Sequence, residues 1–138
     1  MKMQQLLNEL KAKLLLMIEP ISSEVGMIDD IPKKWSKFMD SECEWKGIDA
    51  KLDSTTLLFR GVKGDKVGKH LHANSNERTY VLKGKLELVT EKSVTIFYEG
   101  ESFYVPMNVC HIVNFLEDTT LLVVFTPKMH KLEIDFTQ

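Results

Sequence analysis

The chain is poor in the residues that would commit it to several broad classes. Of its 138 residues only two are cysteine, Cys43 and Cys110. They form no CxxC pair and are too few for a disulfide scaffold, so the expected setting is reduced and intracellular. Arginine is almost absent: Arg60 and Arg78 are the only two, and lysine and arginine together number 18 against 20 acidic side chains, a formal net charge of −2 with histidine neutral. No cationic excess exists to neutralise phosphates, which argues against nucleic acid as a partner, or to hold an anionic membrane surface. Long apolar runs are missing too. The longest, 14–18 and 121–125, fall far short of a membrane span. The apolar N-terminus is broken by Asn8, Glu9, Lys11 and Lys13, which leaves no signal-peptide core. The expectation is a soluble cytoplasmic protein of one structural domain.

What is present changes period once. Met3, Leu6, Leu7, Leu10, Leu14 and Met17 recur at three- and four-residue spacing before Pro20, and predict an N-terminal α-helix. Its stripe packs either on its own domain or on another subunit. Residues 20–53 read as irregular, with Trp35, Phe38 and Trp45 scattered through a segment that wraps over something. After them come short β-branched or aromatic stretches punctuated by Gly, Asp, Asn or Pro: 55–61, 79–82, 85–90, 94–98, 102–105, 111–115 and 119–126. Many short strands without an intervening helix predict an all-β antiparallel sandwich or barrel. The division expected is 1–53 as helix plus covering segment, and 54–138 as the barrel.

Three of the four histidines sit in two tight settings. His70 and His72 are two apart, so on a strand they share a face. Glu77 follows on the return strand, and His111 opens a later one after Pro106. Three imidazoles and a carboxylate suit a divalent first-row transition metal. Parity sets Thr79 and Val81 beside Glu77, and Val109, Val113 and Phe115 beside His111, which predicts an otherwise apolar interior suited to a small, mostly uncharged molecule. Cys110 points to the outer face of its sheet and is read as a small buried hydrophobe, with a reactive thiol or an extra ligand as the alternative. Arg60 is read as a structural ion-pair partner, or as a carboxylate clamp if it points inward; Arg78 faces away from Glu77. His130 lies apart, as a surface residue.

The stretch Gly64-DKVGK-His70-Leu-His72-ANSN-Glu77-RTYVLK-Gly84 resembles the first motif of the cupin superfamily, a glycine, an HxH pair, a glutamate and a closing glycine, at every fixed position. Gly100-ESFYV-Pro106-MNVC-His111-IV-Asn114 resembles the second, with two departures. Asn108 stands where the family has glycine, and Asn114 comes one residue early. Asparagine tolerates positive φ better than other side chains, so the first departure should keep the turn; the second leaves Asn114 without a role. The resemblance implies a cupin-type double-stranded β-helix, or jelly-roll, barrel. It also implies a metal (Fe, Mn, Ni or Zn) on His70, His72, Glu77 and His111, with a small organic ligand in the barrel. A metal-dependent enzyme is implied, oxygenase-type first and isomerase or lyase next, or alternatively a non-catalytic metal- or ligand-binding sensor. The stretch Trp45-Lys-Gly47-Ile48 leading into Thr56–Arg60 is similar to cupins of the anti-sigma-factor and acetylacetone-dioxygenase type. Apolar outward positions, Tyr80, Leu82, Cys110 and Ile112 among them, need a cover, and a homodimer is expected.

Overall fold

Alternation of buried and exposed residues with a period of two runs through nearly every strand of the computed structural model. The structure describes residues 3–5, 8, 31–38, 41–50, 53–127 and 134–135. Among these residues eleven strands follow in chain order: β1 (Ser36–Lys37), β2 (Glu44–Ala50), β3 (Thr55–Gly61), β4 (Lys66–His72), β5 (Asn76–Lys83), β6 (Lys85–Thr90), β7 (Val94–Tyr98), β8 (Ser102–Val105), β9 (His111–Phe115), β10 (Thr119–Thr126) and β11 (Ile134–Asp135). They form a six-stranded sheet, β1-β2-β3-β10-β5-β8, and a five-stranded sheet, β11-β4-β9-β6-β7, every pairing antiparallel. This is the expected jelly-roll barrel. Inward residues of both sheets, including Leu57, Val81, Leu86, Val113, Phe115 and Val123, merge into one core.

Strands β3, β6, β7, β8, β9 and β10 have the bounds expected from sequence, and β5 extends the expected 79–82 at both ends. The segment 20–53 corrects the sequence reading. It was expected to be irregular, yet Glu44–Ala50 is a full strand paired with β3, so the sheet begins upstream of residue 54. Gly47, Asp49 and a register shift between them hide its alternation. At the other end of the chain's first segment, residues 3–5 and 8 are helical; most of the expected helical stripe lies outside the described residues, as does His130.

Turns are set where the chain needs left-handed backbone. Gly64, Gly84 and Gly100 have φ of 93°, 94° and 91°, and Asn108 takes 67°. Asparagine thus serves at the position where the resembled motif has glycine. A small apolar cluster, Leu82 and Leu122 with Leu58 and Tyr80, sits outside the core. Among the described residues no helix is long and apolar enough to cross a membrane.

Candidate metal centre

A β-bulge gives β4 its inward face. Val67 pairs with Val113 and His70 with His111, so β4 spends three residues where β9 spends two. The extra residue lets Val67, His70 and His72 all point into the barrel, and all three are buried. Across the pairing, His111 opens β9 and is only 1% exposed. Glu77 comes from the opposite sheet, on β5, and is buried as well. The four residues expected at the site therefore converge. One nitrogen from each of His70, His72 and His111 lies within 4.8 Å of the others.

Most polar atoms here have a hydrogen-bond partner. His70 Nδ1 donates to the Gly68 carbonyl at 2.7 Å, and His111 Nδ1 to the Val109 carbonyl at 3.0 Å. Both bonds fix the ring and leave Nε2 of the neutral form as a lone pair. His72 Nε2 donates to Glu77 Oε1 at 3.0 Å, and Thr79 Oγ1 donates to Glu77 Oε2 at 2.6 Å. Two buried nitrogens then lack hydrogen-bond partners, His72 Nδ1 and His111 Nε2. His111 Nε2 lies 3.5 Å from Glu77 Oε1, near enough for ionic attraction but too poorly placed for a hydrogen bond.

The electrostatics follow from burial and from this one carboxylate. Burial, with the charge of His111 second, pushes the His70 imidazole down to about 4, and the Gly68 carbonyl offsets only part of this. Burial alone would raise Glu77, but His111 and His72 outweigh it and hold the carboxyl well below its usual range. Burial would likewise lower His111, and Glu77 outweighs it, so His111 is raised. A neutral His111 would face Glu77 with two electron-rich atoms opposed. A cation between them, a proton or a metal ion, removes the conflict. Buried orphan nitrogens around an ionised carboxylate fit a divalent metal.

The remaining lining is apolar, as parity requires. A cavity of about 50 Å³ opens against the three histidines and Glu77, and its other walls include Val67, Val113, Phe115, Val123 and Phe125. Phe38 and Trp45 also line it. Among the described residues no lysine or arginine lines it. Arg60 turns outward instead: its Nε bonds Glu44 Oε1 at 3.0 Å and its guanidinium lies 3.8 Å from the Trp35 ring centroid. Arg78 is exposed beside Tyr104. Cys110 is half-buried. Cys43, which nothing in the sequence marks, is fully buried in the core, where burial pushes its thiol up to about 11.

Comparison with known proteins agrees with this architecture. The cupin domain family profile matches residues 58–127. No curated protein sequence is similar enough to count as a relative. Among solved structures, KdgF from Halomonas sp. is 21% identical, with 70% of this chain and 89% of that one covered and a TM-score of 0.65. An RmlC-like cupin from Shewanella frigidimarina is 17% identical, covering 77% and 92% with a TM-score of 0.63. A structure of the DMSP lyases RdDddP and RnDddQII is 14% identical, covering 76% and 62% with a TM-score of 0.64. At these identities the likeness is one of fold.

Proposed function

Because this chain belongs to the cupin superfamily, we propose that it is a metal-dependent enzyme, oxygenase-type first, acting on a small organic molecule inside its barrel. His70, His72, His111 and Glu77 would hold the ion, one of Fe, Mn, Ni or Zn. The observation that carries this reading is the pair of buried, unpartnered imidazole nitrogens beside an ionised carboxylate. Such an ion supplies Lewis acidity toward a substrate oxygen and, where it is redox-active, a route to dioxygen chemistry. The chain's own residues do the rest. The Gly68 and Val109 carbonyls hold two rings in one tautomer, Thr79 fixes the carboxylate, and the apolar walls exclude water. Lyase or isomerase chemistry on the same centre ranks next, in keeping with the lyase among the structural neighbours.

Elemental analysis of natively purified protein tests the centre. About one transition-metal equivalent per chain is expected, with a loss of affinity of orders of magnitude in His72→Ala and none in His130→Ala. No metal in the purified protein and no uptake of added Fe, Mn, Ni or Zn would sink the reading. The small cavity favours a second reading, a metal or small-ligand sensor without turnover. A metallated protein that binds ligands yet converts none of them would select it.

We also read the chain as a homodimer. The edge strand β7 exposes Val94, Ile96 and Tyr98, an apolar edge that a second copy would cover. Light scattering at micromolar concentration giving a single-chain mass would refute this.

A further inference from the structure

Strand register lays the cavity out along the barrel. On the six-stranded sheet Glu77 pairs with Phe125, Thr79 with Val123, and Val81 with Leu121. Leu121 in turn pairs with Phe59, and Phe59 with Trp45. The Trp45–Phe59 row is thus four residues along the strands from the Glu77 row, about 13 Å at the usual rise. The facing sheet runs the same way, from His70 and His111 past Val67 and Val113. Phe115 then stacks on Phe59 at 6.3 Å between centroids. The far end is closed by aromatic edges. Phe38 packs at 84° on Trp45 at 5.0 Å and at 68° on Phe59 at 5.1 Å. Phe38 and Trp45 are 4% and 5% exposed, and both line the cavity. Both precede the residues matched by the family profile, which start at 58.

We propose that Phe38 and Trp45 are the specificity-determining residues of this site, an aromatic end wall that limits it to short, uncharged ligands. This rests on the metal-centre reading given above. The polar end grips one donor group, while the wall caps how far the ligand's apolar body can extend. Among the described residues the lining has no lysine or arginine to pair with a ligand carboxylate or phosphate, which leaves the polar end as its one charged region. The cavity of about 50 Å³ is about a third of the roughly 150 Å³ that admits benzene. Removing the indole enlarges it toward that size.

The test uses two hydroxamic acids, which are uncharged near neutral pH and bind metal through one end. Zinc-loaded wild type should bind acetohydroxamic acid and prefer it to benzohydroxamic acid. Trp45→Ala should gain at least about tenfold for the larger probe relative to the smaller. Trp45→Leu and Phe38→Leu, gentler truncations, should shift the ratio in the same direction and keep the test should Trp45→Ala not fold. An unchanged ratio in all three variants overturns the proposal. A parallel arm needs no metal. In chelator-treated protein, benzene should raise the melting temperature of the Trp45 variants and leave wild type unmoved. Stabilisation of wild type by benzene, or of none of the variants, overturns the end wall even if zinc binds. Failure to take up zinc overturns the metal centre and leaves the benzene arm to decide the wall.

Discussion

Acidification should destabilise the metal-stripped protein through His70 before any other group of the site. His70 is 4% exposed, and its imidazole is pushed from 6.5 to about 4 by burial first and by the charge of His111 second. The unfolded chain therefore takes up a proton that the folded chain refuses. Stability is full above the unfolded value and falls as the pH drops from about 6.5 to about 4, where the loss is complete. The difference of about 2.5 between the two states corresponds to about 3 kcal/mol in all, of which about 2 kcal/mol falls between about pH 7 and about pH 5. The neighbouring pair does not blur this window. His111 is raised, so what it adds is fully present below about 6.5. Glu77 is held below its usual range, so what it adds is lost only as the pH falls beneath about 4.5. Urea unfolding in the presence of chelator, for wild type and His70→Gln at both pH values, measures the difference. Wild type should lose about 2 kcal/mol more than the variant on going to the lower pH. Equal losses in the two proteins would refute the reasoning, because they would mean that the buried ring accepts its proton as readily as an exposed one.

Gly84→Ala should be far more costly than Gly64→Ala. Both take positive φ, worth about 1–2 kcal/mol, but a Cβ at Gly64 meets nothing, while one at Gly84 runs into the Asp118 carbonyl and comes to 2.7 Å from Thr119 Cα. Thermal unfolding should separate the two by several degrees, and equal melting temperatures would contradict the close approach. Thr79→Val should lower metal affinity by about ten- to a hundredfold with little loss of fold, and Thr79→Ser should restore it; a metal titration in which valine and serine behave alike would remove Thr79 from the carboxylate's support. Asn108→Gly should leave stability unchanged or slightly higher, and Asn108→Val should lower it, because only the latter is penalised at φ 67°; denaturant midpoints check both. Chelation of the metallated protein should lower its melting temperature without unfolding it at room temperature, because the two sheets share an apolar core of their own.

Most of the barrel was legible because its strands carry period-two patterns bounded by turn residues. That His70, His72, Glu77 and His111 come together was legible from their spacing along the strands and from the resemblance. His70 and His72 lie on one side of β4 for the reason given by strand geometry, and Glu77 returns on the next strand. Strand β2 was not, since Gly47 and Asp49 are poor strand formers and the register slips between them. Parity alone also fails at β4. Val67 and His70 are an odd number of residues apart yet both face inward, which only the bulge against β9 allows. Cys43 was invisible as a core residue because its burial depends on β2 joining the sheet. The hydrogen bond from Thr79 to Glu77 could have been anticipated, since two residues apart on one strand face places a hydroxyl beside a carboxylate; parity set them together, but their chemistry was not drawn from it.

The carboxylate also explains why a barrel with such an apolar interior tolerates this site. A buried ionised group is costly unless opposing charge and hydrogen bonds compensate it. Glu77 receives a hydroxyl on one oxygen and a ring N–H on the other, and further attraction comes from His111 when that ring is protonated. Proton and metal ion are thus alternatives for the same duty. The bond from His111 Nδ1 to Val109 leaves only Nε2 to carry either one. Loading the centre should therefore release a proton from His111 but none from His70, which is already neutral down to about pH 4. The three rings are not equivalent competitors with the metal. Near about pH 5 metal uptake should release no proton from His70, whose ring should titrate as neutral imidazole in NMR spectra of the stripped protein at that pH. A His70 ring already protonated there before metal arrives would show that its burial does not govern its chemistry.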